Sequence, residues 1–305
     1  MIASETPDGD VQLRQLPQPA AVSAVACCLV CDSNYGPCKL PGLKRCTSCG
    51  FITADLSMSD EELSKLYGED YFHGEEYRDY RSEEASLKDN FRRRIKTLQE
   101  LIPDLRQRRV FEIGCAYGFF LDEVRGDVAA AKGIDISVEG TEHARVTKGV
   151  DAVTGNYLDH PCDPDIGLVT MWDTIEHLPR PDLFVQKAGQ DVQPGGYIAV
   201  TTGDIASLNA RMRGQRWRMI HPPTHLHYFS VDTLSRLLDR HGFDIVHVSH
   251  PGNSRDLRSI LHFVLDLRLG WGGLYRRIAG WRIFNLSLSL NLFDIMFVVG
   301  RRRLP

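Results

Sequence analysis

The stretch Val110-Phe-Glu-Ile-Gly114-Cys-Ala116-Tyr-Gly118-Phe-Phe-Leu constrains this chain more than any other. A short apolar run suits a buried strand, small residues suit a tight turn, and a second apolar run opens a helix. With no side chain at Gly114 and Gly118, and almost none at Ala116, a ligand can approach the backbone closely. The glycines do not keep the G-x-G-x-x-G spacing of dinucleotide sites. The pattern is E-x-G-x-x-x-G, with Glu112 near the strand's end. A carboxylate there repels phosphate and favours a cationic group such as a sulfonium or ammonium.

The same grammar repeats onward from Arg109. Apolar runs at 110–113, 130–136, 166–172, 197–201, 243–248 and 292–299 alternate with helical stretches, which predicts a parallel sheet with crossover helices. Open sheets of this kind bind ligands beyond the carboxyl ends of their strands. Asp135, followed by Ile136, ends the second run and is placed to accept ribose hydroxyls of a nucleoside. After the third candidate strand, Asn156 is placed to read an adenine edge and Tyr157 to cover its face. The fourth run leads into Trp172-Asp173-Thr-Ile-Glu176-His177. Any one of these acids alone reads equally well as a helix cap or a solvated loop charge; together they point to one pocket.

Six of the eight cysteines crowd into residues 27–51. Cys28-x2-Cys31 and Cys46-x2-Cys49, 14 residues apart, form two knuckles that aim four thiolates at one point. That set suits a closed, structural tetrahedral Zn2+ site. Bound metal would replace the apolar core that so short a segment cannot build. Cys27 and Cys38 are left as spare thiols.

These features divide the chain into a flexible tail (1–24, with Pro7, Pro17 and Pro19), a zinc ribbon (25–55) and a helical linker or cap (56–105). A catalytic domain (106–250 with 291–305) follows, interrupted by an insertion at 251–290. Within the linker, Ser59 and Glu62 form a capping box, and a second helix runs from about Ser82 to Leu101. The insertion carries six arginines against two aspartates, together with Trp271 and Trp281. It reads as a lid, a dimer surface or a helix lying on a membrane surface. No uninterrupted apolar run reaches the length of a membrane span.

A formal charge of −4 does not suit a chain living by phosphate-backbone contacts, so DNA is not expected as a partner. The amino terminus lacks a secretory pattern, and the cysteine usage suits a reducing compartment, so the expectation is a cytoplasmic protein, with peripheral membrane contact through 251–290 open. Histidines supply candidate bases: His225 first, then His177, then His221, each weighed against a role in shaping the pocket. A second metal site on His221, His225 and His227 lacks an acidic partner within that run. Arg213, Arg216 and Arg218 around Trp217 suit a phosphate-bearing acceptor or a solvated face.

Residues from about 109 to 250, with 291–303, resemble a class I S-adenosylmethionine-dependent methyltransferase. EIGCAYG resembles its glycine-rich first motif, GIDIS its acidic ribose motif, WDTIEHL the motif after strand four, and QPGGYIAVTTGD the turn into strand five. The ribbon and RWRMIHPPTHLHYFS resemble a branch acting in polysaccharide and natural-product pathways. The resemblance implies a Rossmann-like α/β sheet with a C-terminal antiparallel strand. It also implies that Glu112, Gly114, Cys115, Ala116, Tyr117 and Gly118 hold the methionine end of S-adenosylmethionine. Asp135 and Ile136 would hold the ribose side, Asn156 and Tyr157 the adenine, and Trp172 and Asp173 the region near the sulfonium. Ala116 stands where glycine is frequent, and Asn156 where an acid is common. The expected reaction is O-methylation of a small-molecule or glycan-type acceptor. The alternatives are an RNA base methyltransferase and a non-catalytic zinc module.

Overall fold

The computed structural model describes residues 27–56, 83–256 apart from 162 and 164, and 287–305. The tail, the capping box at Ser59 and Glu62, and residues 257–286 of the insertion lie outside the described residues.

Seven strands form the central sheet, in the order β10-β13-β8-β7-β4-β5-β6. They are β4 (Arg109–Ile113), β5 (Ala130–Asp135), β6 (Asp151–Thr154), β7 (Ile166–Trp172), β8 (Val192–Gly203), β10 (Phe243–Ser249) and β13 (Ile295–Arg302). The neighbours from β8 to β6 pair in parallel, while β13 lies antiparallel between β8 and β10. This is the expected mixed α/β sheet with its C-terminal antiparallel strand.

The middle strands are apolar on both faces because helices cover both. On one face Val110, Leu168, Ala199 and Val299 pack with Phe91, Ile95 and Leu98 of α1 (Glu84–Leu101) and Phe120 and Leu121 of α2 (Phe119–Val124). On the other face Phe111, Val169, Ile198 and Val298 pack with Phe184 and Val185 of α4 (Pro181–Asp191) and Leu234 and Leu237 of α6 (Val231–Arg240). The remaining helices, α3 (Val138–His143) and α5 (Leu208–Arg213), are short. Fully burying Leu98 contributes roughly 1.5–3 kcal/mol and helps dock α1 onto the sheet.

A second sheet, β1-β2-β3-β9, joins the cysteine-rich segment to the rest of the molecule. Its strands are β1 (Tyr35–Pro37), β2 (Leu43–Cys46), β3 (Ile52–Ala54) and β9 (His227–Tyr228). β3 pairs antiparallel with β9, 173 residues further along at the Thr53–Leu226 hydrogen bond. Two further strands, β11 (Asn253–Asp256) and β12 (Ser287–Leu290), pair antiparallel at the ends of the insertion. Among the described residues no helix is long and apolar enough to cross a membrane.

Candidate active site

The turn between β4 and α2 holds three residues in the left-handed region: Gly114 (φ +80), Ala116 (φ 42) and Gly118 (φ 74). At Gly114 a Cβ would lie 2.5 Å from the Thr174 hydroxyl oxygen, so only glycine fits. Ala116 adopts this backbone with a side chain and is held there by a specific bond. Its N–H donates to Asp135 Oδ2 at 2.8 Å. Asp135 Oδ1 accepts from the Ser137 N–H, also at 2.8 Å. The carboxylate that ends β5 therefore fastens the glycine turn to the next strand. Each of its oxygens keeps a second lone pair.

Acids converge on this rim. Glu112 is fully buried and its Oε2 has no hydrogen-bond partner. Burial first, and the neighbouring Asp135 charge second, raise its pKa well above the ordinary carboxyl range. Burial likewise raises Asp135, against the pull of its backbone donors. Asp173 begins the loop after β7 with φ 50, a strained backbone for a non-glycine residue. Burial, with the Asp173 charge, pushes Glu176 up to about 8, and neither of its oxygens is hydrogen-bonded.

One cation faces these acids. Arg94 of α1 is the only buried arginine or lysine among the described residues. Its guanidinium lies 3.0 Å from Asp173 Oδ2 and 5.1 Å from the centre of the Trp172 ring. Its charge also acts on Glu112 and Glu176. Sequence reasoning missed Arg94, which sits in a run of three arginines on a helix outside the expected catalytic domain.

The other expected residues divide. Ile136 is 48% exposed at the rim, where it can cover a ligand. The Asn156 Oδ1 accepts the Leu158 N–H, which leaves its amide NH2 for other work. Tyr157 corrects the expectation: only 2% exposed, it packs against Phe111 and Phe184 and donates its hydroxyl to Asp191. A ring held in the core cannot cover an adenine at the rim. Cys115 is buried against Gly133. Tyr117 is buried, with its hydroxyl on Glu139. Trp172 packs among Phe91, Phe120 and Phe297, its indole N–H buried without a partner.

The histidines gather on the turn after β7. The rings of His177 and His225 are 4.6 Å apart, and those of His221 and His225 3.9 Å apart. His177 Nδ1 donates to the Thr224 carbonyl and His225 Nδ1 to the Met219 carbonyl, both at 2.9 Å. A carbonyl can only accept, so in both rings the nitrogen with a lone pair is Nε2. Burial and the neighbouring His177 push His225 down to about 2, which makes it a weaker base than its first rank implied. His227 turns the other way, onto Thr53 and the Phe51 ring. The arginine strip also breaks up: Trp217 and Arg218 both donate to the buried Asp294.

At the far end of the small sheet, Cys28, Cys31, Cys46 and Cys49 have their sulfurs within 4.8 Å of one another. Burial pushes Cys28 up to about 11 and raises Cys49 further. For Cys31 the burial penalty is outweighed by Ser33 hydrogen bonds, which bring it down to about 6. Cys27 and Cys38 stand apart as free thiols.

Residues 80–248, more than half of the chain, match the family described as Methyltransferase domain. The chain belongs to that family. The methyltransferase domain is 28% identical over 116 residues to a ubiquinone biosynthesis O-methyltransferase of Bordetella avium, covering 36% of this chain and 48% of that protein. The chain thus spans about half the length of the first curated relatives it matches. A longer match, 29% identical over 207 residues, covers 65% of this chain and 80% of the protein of the same name from Burkholderia ambifaria. Among solved structures, the fold is similar to magnesium protoporphyrin IX methyltransferase of Synechocystis with bound SAH. That match has a TM-score of 0.54 and 11% identity, covering 78% of this chain and 99% of that one. A methyltransferase crystallised with the Trm112 activator from Haloferax volcanii gives 0.52 and 15%, covering 73% and 95%.

Proposed function

We propose that this methyltransferase domain binds S-adenosylmethionine on the glycine turn and methylates a hydroxyl of a small-molecule or glycan-type acceptor. The observation that carries the reading is the Asp135 carboxylate, which grips the turn through Ala116 and retains lone pairs for two ribose hydroxyls. The fit extends to the orphaned polar atoms at the rim. The unpartnered Glu112 Oε2 suits the ammonium of the methionine end, and the Arg94 guanidinium suits its carboxylate. Gly114, Cys115, Ala116, Tyr117 and Gly118 supply the wall, Ile136 and the Asn156 amide the adenine side, and Asp173 the negative charge facing the sulfonium.

When bound, this cofactor supplies an electrophilic methyl group. The residues of the chain do the rest. The rim orients the acceptor for in-line attack, and a histidine takes the hydroxyl proton. His177 is the better placed base, because it is only half buried and the Thr224 carbonyl fixes its tautomer. His225 and His221 then form the wall behind it. The RNA alternative gains no support from the ribbon, where Lys44 lies over Tyr35 and Arg45 folds back on Gly50.

The four cysteines are assigned to a structural Zn2+. The Cys28–Cys49 and Cys31–Cys46 sulfur pairs are 3.6 and 3.5 Å apart. A tetrahedron with Zn–S bonds of about 2.3 Å has edges of about 3.8 Å. The Val30, Ser48 and Cys49 N–H groups point at these sulfurs, as suits thiolates. By this reading 25–55 is a ribbon domain, 56–105 a cap that contributes Arg94, and 106–250 with 291–305 the catalytic unit.

The test is calorimetric titration with S-adenosylmethionine, followed by incubation with hydroxylated aromatic and sugar acceptors and mass spectrometry. The expected results are saturable binding and the mass gain of one methylene unit on an acceptor. Absence of binding by the metal-replete protein would overturn the reading.

A further inference from the structure

The turn after β7 and the segment 219–228 assemble a second set of donors that the methyl-transfer reading uses only in part. A main-chain bond between Thr174 and His177 closes the turn, which sends Glu176 inward and leaves His177 half buried. The Glu176 carbonyl accepts N–H groups from Leu226 at 2.9 Å and His227 at 3.2 Å, clamping the segment that carries His225 onto the turn. A carboxylate oxygen of Glu176 and one ring nitrogen from each of His177 and His225 then lie within 4.8 Å of one another.

The chemistry of this triangle is unbalanced as it stands. Both histidines spend their Nδ1 proton on a main-chain carbonyl, so each brings a lone pair on Nε2. Glu176 is 2% exposed and neither of its oxygens receives a hydrogen bond. Three potential ligand atoms thus converge within 4.8 Å in a buried place, where a charged or polar group without a matching partner is costly. A divalent cation satisfies all three.

We infer that Glu176, His177 and His225 bind a divalent transition-metal ion, separate from the cysteine knot. Two imidazoles and one carboxylate suit Zn2+, Co2+, Mn2+ or Fe2+, and carry too few oxygens for Ca2+. The Thr224 and Met219 carbonyls play the part that outer partners play in metal sites generally, fixing ring orientation and tautomer. Three protein ligands leave a coordination position open, as catalytic sites do and structural ones do not. The site stands on the loop that begins with Asp173, so an acceptor hydroxyl can take the open position and lose its proton to water, His177 then serving as ligand and not as base. That last consequence rests on the proposed methyl transfer. The binding of the ion does not. The sequence run His221, His225 and His227 lacked an acid; the fold supplies one 49 residues before His225 and keeps only His225 of that run.

The experiment adds Co2+ to the full-length protein loaded with a single equivalent of zinc, which the four cysteines take first, and follows the visible spectrum. One further equivalent should bind and give d–d bands without the near-ultraviolet thiolate charge-transfer band of a cysteine site. Glu176→Gln and His177→Asn should each weaken this binding at least about tenfold, the lower end of what outer partners alone are worth. His177 is half exposed, so its variant provides a folded control if Glu176→Gln does not fold. Absence of d–d bands, a spectrum dominated by thiolate charge transfer, or unweakened binding by His177→Asn would each overturn the proposal. S-adenosylmethionine titration of the same samples reads the methyl-transfer proposal separately, since cobalt binding without cofactor binding would sink that reading alone.

Discussion

The cysteine knot and the histidine–glutamate triangle each bring several donors within 4.8 Å, yet they are built in opposite ways. The knot takes all its members from 22 consecutive residues, and two tight turns suffice to assemble it. The triangle needs a strand tip, a clamp across 50 residues and a small sheet that begins in the ribbon. The proposed zinc would therefore hold the knot's own turns together, while the triangle depends on the fold for its geometry. The two are joined mechanically, because β3 leaves the knot and pairs with β9, immediately after His225.

Cys46→Ser is the most severe way to break this comparison. It removes one of the four proposed zinc ligands and should cost on the order of 5 kcal/mol of ribbon stability. Metal analysis should find the knot's zinc missing, and thermal melting should show an earlier transition than wild type. The glycine turn does not touch the ribbon, so cofactor affinity should survive. Equal loss of cofactor binding would show that the two regions are one folding unit.

Asp135→Ala comes next. It removes the proposed ribose contacts and strands the Ala116 and Ser137 N–H groups, for a loss of about 3 kcal/mol of cofactor binding. Calorimetry giving an unchanged affinity would remove Asp135 from the site. Glu112→Gln should weaken binding by about 2 kcal/mol, because a neutral amide replaces the charge facing an ammonium. It should also change stability with pH in a defined direction. Burial raises the folded pKa of Glu112 above the ordinary 4.5, so the folded chain keeps this proton longer than the unfolded one. Its contribution is fully present below about pH 4.5 and is lost as pH rises through the folded value. The cofactor-free Gln variant should thus match wild type in acid and become relatively more stable as pH climbs. Melting curves with a constant difference across that range would contradict this.

The strands were legible because buried parallel strands are near-continuous apolar runs; 166–172 appears unchanged as β7. The knot and the glycine turn were legible because their members are close in the chain. Three kinds of feature were not. Arg94 meets Asp173 across 79 residues, and nothing in its local helix pattern marks it. Tyr157 follows a strand tip by the expected interval, yet the short helical turn at Tyr157–Asp159 swings it into the core. Glu176 looked like one more loop acid, because its lack of hydrogen-bond donors is a property of the folded interior. Periodicity reports which face is buried; it does not report whether a buried polar atom has found a partner.

Thr53→Val is the mildest and most selective of these changes. The Thr53 hydroxyl donates to the Leu226 carbonyl and meets His227 Nδ1, both at 3.0 Å. Valine keeps the shape of the strand and removes both bonds, at a cost of about 1 kcal/mol. The knot should hold its metal and the glycine turn its cofactor, because neither contains Thr53. The segment carrying His225 would lose part of its anchor to the ribbon, although the Ala54 N–H still donates to Leu226 and the Glu176 carbonyl still holds the other side. The expected outcome is a lower kcat with unchanged cofactor affinity and weaker Co2+ binding at the triangle. An effect on kcat without any change at the triangle would mean that the ribbon shapes the acceptor pocket directly instead of positioning the histidines.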